Sequence, residues 1–217
     1  RQSQSVVAGA SATFRVITNV DESTSYQWYR NNAPVANAIS STLIIANVQM
    51  SDAGLYTVVA TNASGSITSL GATLTITIAP PNDSFASRIV LIGPNVHLTS
   101  TNVGASKEPA EPNHGGYSGG HSVWWSWTAP ATGIVKLDTN GSNFDTVLAV
   151  YAGNSVGGLT GIASDDDSGG GVASQLTFNA VAGATYQIAV DGVFLSSGTV
   201  LLNLSLATPP TITLQPM

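Results

Sequence analysis

Apolar and polar residues alternate along this chain in short runs cut off by turn residues, and that period of two constrains the fold more than any other feature. Ala12, Phe14 and Val16 share one face of such a run, as do Tyr26 and Trp28, then Leu43 and Ile45, then Tyr56, Val58 and Ala60. Side chains that alternate in this way line one face of a strand. Polar clusters at 19–24, 31–34 and 62–65 supply the turns between them. Further strands are readable at 88–91, 96–99, 123–128, 134–139, 146–151, 175–180, 185–190 and 199–206. No stretch holds a helical period over a useful length. The pattern predicts an all-β chain of two sandwiches, the first with seven strands.

A chain of 217 residues that is 43% apolar can bury a core in each of two domains. Only 8% of the residues are charged, and Gly, Ser, Thr and Asn take their place, which suits short strands and tight turns. The apolar runs at 73–79 and 199–206 are short and broken by Thr, Ser or Asn, so neither is long enough to insert in a membrane as a helix. There is no cysteine, which excludes disulfides, thiolate metal sites and thiol chemistry. The net charge of −6 is unevenly placed. Residues 1–79 balance Asp21, Glu22 and Asp52 against Arg1, Arg15 and Arg30, whereas residues 80–208 set nine acids against Arg88, Lys107 and Lys136. Three cations in an acidic domain make a poor nucleic-acid binder and a plausible binder of cations.

The motifs Tyr26-Gln-Trp28-Tyr29-Arg30 and Ser51-Asp52-Ala53-Gly54-Leu55-Tyr56-Thr57-Val58, in that order and spacing, make residues 1–79 resemble an immunoglobulin-like domain of the I-set type. The resemblance implies that Trp28 fills the core centre and that the Tyr56 hydroxyl ties a corner. It also places Val16 and Val58 where the family usually has its inter-sheet disulfide. Two buried valines recover by apolar burial, at about 1.5–3 kcal/mol each, part of the roughly 2–4 kcal/mol such a bridge contributes.

Pro80-Pro81 ends the first domain, since proline cannot donate to a ladder. In residues 80–208, five segments follow in order: Asn82-Asp83-Ser84-Phe85, the run Val123-Trp124-Trp125-Ser126-Trp127, Phe144-Asp145-Thr146-Val147, Asp165-Asp166-Asp167, and Tyr186 to Asp191-Gly192. Together they resemble the bacterial pre-peptidase C-terminal type of β-sandwich, a jelly-roll-like accessory domain. Such domains are appended to secreted peptidases, glycan-active enzymes and giant surface proteins, and relatives bind calcium, collagen or polysaccharide. Calcium takes six to eight oxygen ligands, which loop carboxylates supply. Asp165, Asp166 and Asp167 precede a flexible Ser-Gly-Gly-Gly stretch, and Asp145, Asn82 and Asp83 are further donors if the fold brings them near. The alternative is a solvated acidic turn with local hydrogen bonds.

The loop at 102–121 is long and carries Glu108, Glu111, His114 and His121. Glu111 and His114 could ligate a transition metal, but lone loop histidines are more often simply solvated. Trp125 and Trp127 share the core face of their run, and Trp124 faces the other way, where it could offer a stacking surface to a sugar ring. Gly153-Asn-Ser155-Val-Gly157 matches a nucleophile-elbow pattern, yet that motif needs a strand, a sharp turn and a helix, so Ser155 reads as a turn residue and the chain as no enzyme.

Residues 209–217, Pro-Pro-Thr-Ile-Thr-Leu-Gln-Pro-Met, look like the lead-in strand of a following immunoglobulin-like domain or of a neighbouring subunit, and the chain opens on what resembles its continuation. The expected function is a non-catalytic structural repeat of an extracellular bacterial surface fibre, filament or large adhesin. Its expected partners are copies of itself or adjacent tandem domains. The alternative is a carbohydrate-binding accessory module of a secreted polysaccharide-degrading enzyme.

Overall fold

The structure, a computed structural model, describes residues 2–18, 24–208 and 210. It forms two compact units divided between Ile78 and Ala79. The expected lead-in strand falls on 209–217, of which 209 and 211–217 lie outside the described residues.

The first unit contains β1 (Gln4–Val7), β2 (Ala12–Arg15), β3 (Ser25–Arg30), β4 (Ala33–Pro34), β5 (Thr42–Ile45), β6 (Gly54–Asn62), β7 (Gly65–Thr68) and β8 (Ala72–Thr77). One sheet runs β1-β8-β6-β3-β4 with β7 also on β6, and β2 pairs with β5 in a second. β1 joins β8 in parallel, so the chain enters through the larger sheet. There are eight segments rather than seven strands because Ser69, Leu70 and Gly71 separate β7 from β8, and because the two-residue β4 is counted as a strand of its own.

The inward positions of these strands build one core. Phe14 stacks on Tyr56 at 4.9 Å between ring centroids and meets Trp28 at 6.2 Å. Each polar tip is satisfied, as a buried indole or phenol requires. Trp28 Nε1 donates to Ser40 O at 2.8 Å, and the Tyr56 hydroxyl donates to Asp52 O at 2.7 Å, which ties the turn before β6 to the strand. Val58 lies opposite Trp28 in the ladder and is buried, while Val16 is partly buried against the same cluster.

The second unit contains β9 (Ile89–Leu91), β10 (Asn95–Thr101), β11 (Val123–Thr128), β12 (Gly133–Asp138), β13 (Thr146–Ala152), β14 (Thr160–Asp165), β15 (Gln175–Ala180), β16 (Thr185–Gly192) and β17 (Thr199–Ala207). They make a four-stranded sheet, β10-β17-β12-β15, facing a five-stranded sheet, β14-β13-β16-β11-β9. Trp125, Trp127, Leu137, Leu148, Ile188 and Leu202 fill the space between. β14 is the strand that alternation did not predict. Its sequence, Thr-Gly-Ile-Ala-Ser-Asp, has little strand propensity, and its side chains are exposed or half-buried at the sheet edge.

β11 and β13 are buried at nearly every position, on both faces. A sheet facing water on one side would alternate, so the outer face of this one must be covered. There Trp124, Ala149, Tyr151 and Ala189 form a second apolar cluster with Phe85.

Candidate functional site

The cover over that outer face is held by polar groups, and they define the site. His114 lies edge-on to Trp124 at 5.2 Å and to Tyr151 at 5.7 Å. Its Nε2–H donates to Glu111 Oε1 at 2.9 Å, and the Tyr151 hydroxyl lies 2.7 Å from its Nδ1. All three residues are buried. Burial alone would raise the Glu111 carboxyl, but hydrogen bonds from His114, Ser122 and the Glu108 backbone outweigh it, and the group is held below the usual range. Burial, then the charges of Glu111 and Asp191, push the Tyr151 hydroxyl up to about 12, so it stays protonated. Glu111 and His114 are thus turned to each other and to Tyr151, an arrangement that fastens a loop.

Other carboxylates act in the same way. Asp191, nearly fully buried, accepts from the backbone N–H of Gly120, His121 and Gly192 and so anchors the end of the 102–121 loop. Asp83 accepts from Ser106 N–H at 2.6 Å, and Glu108 accepts from Phe85 N–H at 2.5 Å. Asn82 is buried, donates its side-chain amide to Trp124 O and accepts Trp124 N–H at its own carbonyl. Its side-chain oxygen has no partner. Asp165 closes the turn after β14, accepting from Ser168 N–H, Ser168 Oγ–H and Gln175 N–H.

Three of the six metal-ligand residues named from sequence come together. Asp145, Asp166 and Asp167 offer carboxylate oxygens that all lie within 4.8 Å of one another. The ladder explains why: Leu148 pairs with Asp165 in the antiparallel β13–β14 register, so the residues just before β13 face those just after β14. Asp145 Oδ1 and Asp166 Oδ1 are buried without a hydrogen-bond partner. Asp166 Oδ2 accepts from the Tyr117 hydroxyl at 2.6 Å, which joins the acidic cluster to the loop turn that carries His114. Burial and then the charges of Asp166 and Asp167 raise the Asp145 carboxyl above its usual range. Asp83 and Asp165 do not join the cluster; each has the local task given above. Tyr117 was not singled out by sequence, because nothing in its surroundings marks it as opposite Asp166.

Trp124 corrects the expectation of a sugar platform. It does point away from the inter-sheet core, but it is fully buried beneath Phe85, His114 and Tyr151. Ser155 precedes a single 3-10 turn between β13 and β14 and heads no α-helix, so it is no nucleophile elbow.

A model of the immunoglobulin domain matches residues 1–62, and one of the bacterial pre-peptidase C-terminal domain matches residues 121–192. The chain therefore carries an immunoglobulin-like domain followed by a bacterial pre-peptidase C-terminal domain. No curated protein matches it. Among solved structures it is similar to the tandem Ig repeats of Dlar, at 19% identity over 36% of this chain and 44% of that one, with a TM-score of 0.33. The N-terminal four Ig domains of Dscam1 isoform 7.44 give 25% identity over 35% and 19%, with a TM-score of 0.30. The three N-terminal domains of the highly immunogenic outer capsid protein of bacteriophage RB49 give 14% identity over 90% and 54%, with a TM-score of 0.36. This chain thus spans well under two thirds of each of those chains. Domains of both matched families are typically non-catalytic modules of secreted or extracellular proteins. No helix among the described residues is long and apolar enough to cross a membrane.

Proposed function

We propose that the chain is a non-catalytic structural repeat of an extracellular bacterial surface fibre or large adhesin, one that joins its neighbours end to end and whose second domain is fastened by calcium. The observation that carries the reading is the division of labour among the carboxylates of the second domain. Asp83, Glu108, Glu111, Asp165 and Asp191 each accept hydrogen bonds that hold a loop to the sandwich. Asp145 and Asp166 keep buried oxygens without partners, in a cluster of three carboxylates.

Ligand oxygens about 2.4 Å from one Ca²⁺ cannot be more than about 4.8 Å apart, and the span of the cluster fits that limit. Asp145, Asp166 and Asp167 would hold the ion, with backbone oxygens and water completing the shell. The ion would offset the burial, and then the repulsion by Asp166 and Asp167, that now raise Asp145. By contacting Asp166 it would also stiffen the link through Tyr117 to the loop covering Trp124.

Two experiments separate the parts of this reading. Electron microscopy of the native full-length gene product is expected to show rods or filaments; strictly monomeric globular particles would contradict the fibre. Isothermal titration of the chain with calcium is expected to show one site, lost in Asp166→Ala; no heat of binding would remove the metal. The polysaccharide reading has lost its stacking residue, since Trp124 is covered.

A further inference from the structure

Among the described residues, the smaller sheet of the first domain ends on β5. In the β2–β5 ladder Ala12 lies opposite Ile45, and Val16 N–H donates to Ser41 O in the same register. The antiparallel pattern therefore turns the peptide groups of Ser41, Leu43 and Ile45 toward β2 and those of Thr42 and Ile44 away from it. The backbone N–H and C=O of Thr42 and of Ile44 have no partner among the described residues. The chain is described without a break from Thr24 to Thr208, so described residues flank this edge on both sides.

Beyond the edge lies a cleft. Residues 35–38 run beside β3 in the other sheet, Val35 N–H donating to Trp28 O and Trp28 N–H to Ala38 O. The chain then crosses to β5 at 39–41, which leaves a cleft of about 440 Å³ between 35–38 and 42–46. Ile39 and Ile44 beside it are 66% and 65% exposed. Open edges are ordinarily guarded by a lysine, a proline or a bulge. Residues 35–51 hold neither a charge nor a proline, and the β2–β5 register has no bulge. An unguarded edge beside a cleft is a template for strand addition.

We propose that the β5 edge receives an extended segment of a partner polypeptide, uncharged where it pairs and alternating aliphatic with hydroxyl side chains. The lack of charge follows from the surface it meets, since a charge brought to this edge would find no counter-charge among residues 31–51. The alternation follows from its two sides. One face of an added strand turns to the cleft, which Val35, Ala38 and Leu43 line, and the other turns to water. Its backbone would supply the partners that Thr42 and Ile44 lack. A lone strand fits here better than the β5 of a second copy. Two joined β5 strands would share one sheet with both cores on the same face, so residues 35–38 of each copy would project beneath the other's β5. Trp28 of β3 already fills that place, packing in the core and reaching Ser40 O through its Nε1–H. The proposal is independent of the end-to-end joint and of calcium.

Amide hydrogen exchange of the full chain, followed by NMR, tests it. In the chain alone, the amides of Thr42 and Ile44 are expected to exchange at least about tenfold faster than those of Leu43 and Ile45, at every protein concentration. A capped peptide Thr-Val-Thr-Val-Thr is expected to bind saturably and to slow both amides by about tenfold. N-methylating either its threonines or its valines separates strand pairing from apolar sticking: one set should abolish binding and the other retain it. Thr42→Pro, which removes an outward N–H, and Ile44→Lys, whose exposed side chain adds a charge to the edge, should each weaken binding about tenfold. Slow exchange of Thr42 and Ile44 in the dilute chain would mean that the edge is already covered, and protection that rises with protein concentration would make a second copy the occupant. Either result overturns the proposal. So does the absence of saturable binding, an equal loss from both methylated sets, or unchanged binding in both variants.

Discussion

Replacing His114 by alanine removes a ring that is 1% exposed and bonded on both sides. Glu111, held ionised in a buried position, loses its imidazole donor, and the Tyr151 hydroxyl loses its partner. Breaking one side of a buried pair costs about 3–5 kcal/mol, because a charge is left uncompensated. The orphaned hydroxyl and the lost edge contact with Trp124 act in the same direction. The second domain should still fold, since a domain of its size carries about 6–15 kcal/mol in total. Its melting temperature should fall by about 10–15 °C, with the first domain unmoved. Differential scanning calorimetry of the whole chain resolves the two transitions. Adding Glu111→Ala to His114→Ala should cost less than the sum of the single changes, because the buried charge goes with it. A second-domain transition within about 2 °C of wild type, or strict additivity of the two changes, would refute the claim that this trio fastens the loop.

Three further outcomes are expected. Tyr56→Phe, which deletes the hydroxyl on Asp52 O, should destabilise only the first domain, by about 1 kcal/mol in urea unfolding. Gly119→Ala should lower the second transition, because at a φ of +54° an added Cβ meets the Asp191 carboxylate that accepts Gly120 and His121 N–H. The third concerns pH. Asp145 has a raised carboxyl pKa in the folded state, so folded protein binds more protons than unfolded, and in chelator its contribution to stability falls as pH rises above the usual aspartate range. Asp145→Asn should therefore stabilise the second domain in chelator at pH 7 and lose that advantage below about pH 4; an advantage independent of pH would contradict the assignment. Glu111 acts with the opposite sign, its contribution being lost as pH falls through its lowered value, and it is common to both chains in that comparison.

Most of the fold was legible because period two survives wherever one face of a strand is buried, as at Phe14, Trp28, Val58, Trp125 and Leu204. β14 was not, because an exposed edge strand of Thr, Gly, Ala and Ser has no face to bury. The faces of the tryptophan run were readable, but the cover over Trp124 was not, since the 102–121 loop that supplies it has no periodicity. In the acidic cluster, Asp145 and the pair Asp166–Asp167 meet through a β13–β14 register that required knowing β14. Adjacency in sequence suggested Asp165 as well, yet Asp165, the last residue of β14, turns to Ser168 and Gln175 instead. Tyr117 on Asp166 joins residues 49 positions apart, which spacing alone does not reveal.

The measurement that bears most directly on the account is calorimetry of the native chain in calcium and in chelator. Binding at a free concentration about 100 times the dissociation constant adds roughly 2.7 kcal/mol to the domain that binds, which for the second domain is about 10 °C. A calcium site at Asp145, Asp166 and Asp167 predicts that shift in the second transition alone, and its disappearance in Asp166→Ala. Identical transitions in calcium and in chelator would contradict it, and would leave Asp145, Asp166 and Asp167 as a solvated acidic turn.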